Sequence, residues 1–360
     1  MKALMLHSED SAVGYYRIWQ PAKYLEKRGW EIARLEKSFR KVNIEGDEGF
    51  EGLAKGSDIL VVQRPEAVEN VALFMAMRDV FDIPMVFEID DNVYDVAETS
   101  HAYQYWQKDS PRIKVVNLLI NNADAVTVTT NALREAYAPL NDNIFVLPNC
   151  QEPDNWKVKP AKPHEGFVLG WAGSSTHYDD LKMIWQPIKK FLRNHKDAKF
   201  KVIGAKCDFL LDHPQVEIST EWKDVYEYPQ YLTDLGFDVG IIPVVNRPFN
   251  LGKSNIKWQE YSMAGIPTIA SNLGEYKTIQ HGETGLLAID NDSWYYSLNK
   301  LYDDKKLRKT LSEQAKQYVL NNFNINKEVE NWDRTYRTII EQYKSGKNRT
   351  KIRSTAEDFI

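Results

Sequence analysis

The chain is poor in cysteine. Only Cys150 and Cys207 occur in 360 residues, far apart and with no CxxC spacing, so neither a disulfide framework nor a zinc site is indicated. Long apolar runs are missing as well. No stretch approaches the roughly 18 to 20 residues that a membrane span needs, and the first residues lack an apolar segment followed by a cleavage site. No transmembrane segment is expected, and the expected compartment is cytoplasmic. A basic surplus is absent too: 46 Lys and Arg face 51 Asp and Glu, a net charge of -5, which argues against a broad nucleic-acid-gripping face. A local basic groove is compatible with that balance, so contact with nucleic acid stays open. The glycine-rich GxGxxG fingerprint is also missing. What remains is ordinary soluble composition, 43% hydrophobic and 27% charged, at a length that predicts two domains with separate cores.

The most informative stretch is residues 250–287, NLGKSNIKWQEYSMAGIPTIASNLGEYKTIQHGETGLL, which reads as loop, helix, buried strand, loop. Lys253, Lys257 and Glu260 stand at i, i+4 and i+7, so a helix over 254–263 places them on one face. Two cations ahead of a carboxylate suit a diphosphate and a diol. Gly265 and Pro267 end that helix. The strand 267–271 follows, and ligands of open α/β sheets gather beyond the carboxyl ends of such strands, which marks Asn272, Leu273 and Gly274.

Glu260 to Ser271 followed by Gly282-Glu-Thr-Gly285-Leu-Leu resembles the donor-site signature of family 4 (group 1) retaining glycosyltransferases. The resemblance spans roughly residues 1–340. It implies an α/β architecture, GT-B, with two Rossmann-like doubly wound domains facing across a cleft, and a nucleoside diphosphate sugar donor. It also implies that Glu260 holds the ribose hydroxyls. A second carboxylate of the family, eight positions earlier, is replaced here by Gly252. The family's diphosphate-binding Arg and Lys are missing after the first strand of the second domain, where the chain reads Gly170-Trp-Ala-Gly173-Ser174-Ser175-Thr176-His177. Lys253 and Lys257 are therefore expected to supply the charge. His177 stands near the position of the family's Lys.

The expected organisation is an acceptor-side domain over 1–150, a proline-containing linker over 151–166, a nucleotide-sugar-binding domain over 167–325, a closing helix over 326–344 that packs back on the first domain, and a polar tail over 345–360. In the first domain, strand 2–6 leads to a polar loop over 8–14 and a helix over 16–27. The resemblance puts the Gly14 loop at the cleft mouth, where Gly14 and Arg17 could meet donor or acceptor and are candidate donor contacts. A purely structural ion pair is the equal alternative for Arg17 in the first turn of the helix. The strand from Pro84 ends in Glu88, Asp90 and Asp91, a crowding of acids that calls for solvent, a metal or a hydroxyl-rich ligand. The polar, aromatic loop over 94–111 carries His101, a residue type suited to proton transfer. Asp91 and His101 are the candidate catalytic groups. In the second domain the small residues Gly173, Ser174 and Ser175 before a helix offer backbone N–H groups to a phosphate, while Asp179 and Asp180 read as helix caps without chemistry.

The expected activity is transfer of a sugar to a hydroxyl acceptor with retention, without a metal or other cofactor. Three readings stay beside it: a non-catalytic nucleotide-sugar-binding protein of the same fold, an epimerase or phosphorylase of the same architecture, and a glycosyltransferase acting on a modified DNA base.

Overall fold

The computed structural model describes residues 1–41, 52–100 and 102–346. The chain divides into two compact units. Unit 1 comprises Met1–Tyr94, Gln104–Asn149 and the chain from Ile325 onward; unit 2 comprises Asp95–Tyr103 and Cys150–Asn324.

Unit 1 is built on six parallel strands: β1 (Lys2–Leu6), β2 (Glu31–Ala33), β3 (Ile59–Gln63), β4 (Met85–Glu88), β5 (Ala125–Val128) and β6 (Ile144–Val146). They lie in the order β2-β1-β3-β4-β5-β6. The central strands are short and mostly apolar, and β3, β4 and β5 are buried along their whole length, Gln63, Glu88 and Thr127 included, as parallel strands covered on both faces must be. The helix after β1 starts at Ala12 and runs to Glu26, with a π-helical turn over Tyr15–Trp19. The 20-residue helix Ile325–Lys344 is laced to the same unit: Asp333 accepts from Trp30 Nε1 at 2.7 Å and Arg28 Nε at 3.2 Å, and the Tyr343 hydroxyl donates to Asp82 at 3.1 Å.

Unit 2 repeats the plan with β7 (Phe167–Ala172), β8 (Ala198–Ile203), β9 (Val216–Ser219), β10 (Val239–Ile242), β11 (Thr268–Ser271) and β12 (Leu286–Ala288), ordered β12-β11-β10-β7-β8-β9 and all parallel. From β7 the chain adds strands outward through β8 to β9, then returns to the other side of β7 for β10. The sheet order therefore reverses between β7 and β10, and in open α/β sheets ligands bind at the strands' carboxyl ends beside such a reversal. The helix Ile256–Met263 feeds β11. It stops where Gly265 takes φ +76, a left-handed conformation that a side chain disfavours. Residues 151–166 fold onto this unit, with Trp156 buried and its Nε1 donating to Gln151 at 2.9 Å. Among the described residues, no helix is long and apolar enough to cross a membrane.

Candidate active site

The reversal point between β7 and β10 is occupied by chemistry-bearing side chains. The helix Ile256–Met263 lies beside the end of β7 because Trp258 and Tyr261 on its inner face are fully buried. One turn apart on that helix, Lys257 and Tyr261 reach the same residue. The Tyr261 hydroxyl accepts the Ala172 amide at 2.8 Å, and Lys257 Nζ donates to the Ala172 carbonyl. The ammonium stands 5.0 Å from the centroid of the Trp171 ring, within cation–π range. Gly173 leaves it room: a Cβ there would lie 2.7 Å from Lys257 Nζ and 2.7 Å from the Trp171 ring. Burial pushes the Lys257 pKa down to about 8; Glu260 pulls it up and Lys253 pushes it further down. Neutralising an anion here would relieve a strained charge.

Lys253 does not share the helix. The helix starts at Ile256 rather than at 254, because Asn250 to Asn255 are drawn into the preceding short helix Pro248–Leu251 and its exit. Lys253 instead sits in the loop with its ammonium 4.3 Å from the Phe249 ring centroid, close enough to Lys257 and His177 to disfavour their charged forms. Gly252 ends the short helix with its N–H bonded to the Pro248 carbonyl at 3.1 Å. Asn272, Leu273 and Gly274 come against the same segment: a Cβ on Gly274 would lie 3.3 Å from the Leu251 carbonyl oxygen. Beside them a depression of about 280 Å³ is lined by Val244, Asn246, Ser271, Asn272, Leu273 and Trp294, among others.

His177 closes the turn Ser175–His177, and its ring lies edge-on to Trp171 at 5.8 Å. Its Nδ1 is 2.7 Å from Asp180 Oδ2. The backbone of Ser174 and Ser175 carries the chain from Gly173 to that turn, and the Ser174 hydroxyl is 2.7 Å from that of Thr176 at the surface. The two acids that follow, read from the sequence as helix caps, make no cap bond at this helix start and bond instead to distant segments. Asp180 is 2% exposed and also accepts the Val245 amide at 2.7 Å and Asn250 Nδ2 at 2.9 Å. Asp179 pairs with Arg247 at 3.2 Å and accepts from the Thr99 hydroxyl at 2.7 Å. The segment Asp95–Tyr103 thus belongs to unit 2, with Asp95 accepting the Phe249 amide at 3.2 Å. A histidine and an aspartate three positions apart at a helix start was the sequence signal for this hub.

The unit 1 candidates fare differently. Gly14 is not in a loop: it lies inside the helix that begins at Ala12, buried against the Glu9 carbonyl. Arg17 is not in a first turn and meets no solvent. It is fully buried in the π-helical turn. Its Nε donates to Glu88 at 2.7 Å, its Nη1 to the Leu147 carbonyl at 2.7 Å and to Asn149 at 3.0 Å, and its guanidinium stacks 4.9 Å from the Trp332 ring centroid. An arginine so enclosed holds unit 1 together and is withdrawn as a donor contact. Asp91 lies at the end of β4, 3.8 Å from Arg64 Nη1, and Asp90 is 3.6 Å from the same atom. Arg64 had no sequence signal, yet it sits at φ +33, amid Glu9, Glu66, Asp90 and Asp91. Its burial opposes the charge, and those four carboxylates outweigh it and raise its pKa. His101 lies outside the described residues.

No family model matches the sequence, and no curated protein matches it. Solved structures do. Sucrose-phosphate synthase from Thermosynechococcus elongatus superposes with a TM-score of 0.67 at 15% identity, covering 94% of this chain and 98% of that one. HepE of Anabaena, in complex with UDP-glucose, gives 0.63 at 12% identity over 96% and 100%. A glycosyltransferase from Rickettsia africae gives 0.63 at 14% identity over 94% and 98%. Two six-stranded parallel sheets in this order, matched over nearly the full chain, make the fold GT-B, the fold of these glycosyltransferases.

Proposed function

We propose that the protein is a family 4-type glycosyltransferase that moves a sugar from a nucleoside diphosphate sugar to a hydroxyl acceptor, with retention and without a metal. The observation that carries this reading is the Lys257 ammonium, held by the Ala172 carbonyl against the glycine loop that ends β7, with Lys253 and His177 alongside. Transfer places growing negative charge on the departing diphosphate. Fixed donors aimed at that charge stabilise the transition state without reorganising during the reaction. Lys257 and Lys253 would supply the charge, and the backbone of Gly173 to Ser175 the amides. Glu260, three residues beyond Lys257, would take the ribose hydroxyls. Asn272 to Gly274, set against Leu251, would border the transferred sugar, and Asp91 and His101 would serve the acceptor side. The UDP and UDP-glucose complexes of HepE support a uridine donor as the first to try.

The test is release of nucleoside diphosphate from UDP-glucose, UDP-N-acetylglucosamine, GDP-mannose, ADP-glucose and dTDP-glucose, with EDTA present, by the wild type and Lys257→Ala. Slow release from one donor, reduced in the variant by roughly 10- to 150-fold for the loss of one charge-assisted hydrogen bond, supports the reading. Release that Lys257→Ala leaves intact would show that the lysine does not serve the phosphates.

A further inference from the structure

Asp180 is a buried carboxylate at the centre of the site, and the proposed chemistry gives it no task. Its two oxygens are committed in different ways. Oδ1 receives two donors of fixed identity, the Val245 N–H and the Asn250 amide, and Oδ2 faces His177 Nδ1 at 2.7 Å. An ionised carboxylate only accepts hydrogen bonds, so Nδ1 must carry the proton of a neutral His177 ring. Nε2 then bears a lone pair. A lone pair cannot face a phosphate oxygen, whereas an imidazolium N–H can.

Resting on the donor reading above, we propose that nucleoside diphosphate sugar binding takes up one proton from solvent at His177 Nε2, and that Asp180 is the positioning residue that makes this uptake obligatory. The charged groups around the ring are Asp180 on its own helix and Lys253 and Lys257 from the segment after β10. Asp179 is engaged with Arg247, and Glu260 acts on Lys257. Before the donor arrives, burial and the two lysines disfavour the imidazolium, against the pull of Asp180. A diphosphate offsets the lysines and supplies the anion that an Nε2–H would bond. Asp180 also ties residues 245–250 to the same turn, so the proton enters at the junction of the two loops that flank the reversal point.

The test is titration calorimetry at pH 7 with the donor from the panel that binds, in buffers of different ionisation enthalpy. A sugar diphosphate diester has no ionisation near neutrality, and a Lys257 pKa of about 8 contributes only about 0.1 proton at this pH. Wild type is expected to take up more than half a proton and to bind more tightly as pH falls from 7.5 to 6.5, with a limit of about tenfold per unit. His177→Asn should bind without uptake. Asp180→Asn keeps an oxygen for Val245 and Asn250 but turns an NH₂ toward Nδ1, which reverses the tautomer and leaves Nε2–H in place. It should bind with no uptake beyond the roughly 0.1 proton of Lys257, and affinity should change by well under twofold in this window. A purely structural role would lower affinity and leave the stoichiometry unchanged. Wild-type binding without uptake, or uptake retained in Asp180→Asn or His177→Asn, overturns the proposal. Failure of every donor to bind overturns the donor reading itself, and this inference with it.

Discussion

Tyr261 and Lys257, one turn apart on the helix Ile256–Met263, hold both backbone polar groups of Ala172, the hydroxyl accepting its N–H at 2.8 Å and the ammonium donating to its carbonyl. The helix is thereby fixed to the end of β7 by the same pair that presents the cation. Tyr261→Phe removes the acceptor and leaves a buried amide unpaired, at a cost of about 1–3 kcal/mol. The expected outcome is a lower unfolding midpoint together with weaker donor binding, read by urea titration and calorimetry. Lower stability with unchanged donor affinity would separate the tyrosine from the placement of Lys257.

Lys257 sets an alkaline limit. Its pKa is depressed to about 8 by burial, and the cationic form is the one the diphosphate needs. Because kcat/KM reports the free enzyme, it should fall as pH rises through about 8, and no such fall should come from Lys257 below pH 7. Lys257→Arg keeps its charge above pH 10 and should remove the additional fall through about pH 8, leaving only the decline set by proton uptake at His177, at a lower level because the guanidinium is wider than the gap over Gly173. A profile of kcat/KM from pH 6 to pH 10 for both proteins checks this.

Gly173→Ala tests that gap directly. A methyl group would meet both Lys257 Nζ and the Trp171 ring at 2.7 Å, closer than carbon contacts allow, and the lysine is the movable partner. Donor affinity should drop by at least the tenfold expected of one lost charge-assisted hydrogen bond, and because the buried Trp171 ring must also give way, the unfolding midpoint should fall by an overpacking cost of about 1–3 kcal/mol. Equal affinity in Gly173→Ala would mean that the ammonium already stands elsewhere when the donor is bound.

The architecture was legible because parallel strands buried on both faces leave short, mostly apolar runs, and β3, β4, β7, β10 and β11 are all buried along their whole length. The end of the Lys257 helix was legible because Gly265 marks it, whereas its start was not, since the helical spacing of Lys253 with Lys257 is that of a loop residue before a helix that begins at Ile256. What the sequence hid is contact at long separation. Asp180 looked like a cap because its partners Val245 and Asn250 lie 65 and 70 positions away. Arg17 stood as a candidate donor contact because its ion-pair partner Glu88 is 71 positions distant, and no local pattern announces a π-helical turn. Arg64 gathers its carboxylates from three strand ends, an arrangement that exists only after the sheet has formed.

Arg17 gives the clearest contrast between a structural and a ligand-binding role. It and Glu88 are both fully buried, and breaking such a pair leaves an uncompensated charge at a cost of about 3–5 kcal/mol. Burial pushes Glu88 up to about 7 even though Arg17 pulls it down. A carboxyl whose folded pKa lies above its unfolded value binds more protons when folded, so its contribution to stability falls as pH rises from about 4.5 through that folded pKa. Removing Arg17 raises the folded pKa further and widens the window. Arg17→Met should therefore lose more stability at pH 8 than at pH 5.5 in the unfolding transition of unit 1. Arg17 Nη2 and Glu88 Oε2 have no hydrogen-bond partner among the described residues, so the pair is only partly satisfied. Arg17→Met combined with Glu88→Leu should accordingly recover much of the loss and remove the pH dependence. Donor affinity should stay at the wild-type value in both variants at pH 7. Weakened donor binding with intact stability would instead restore Arg17 to the donor site.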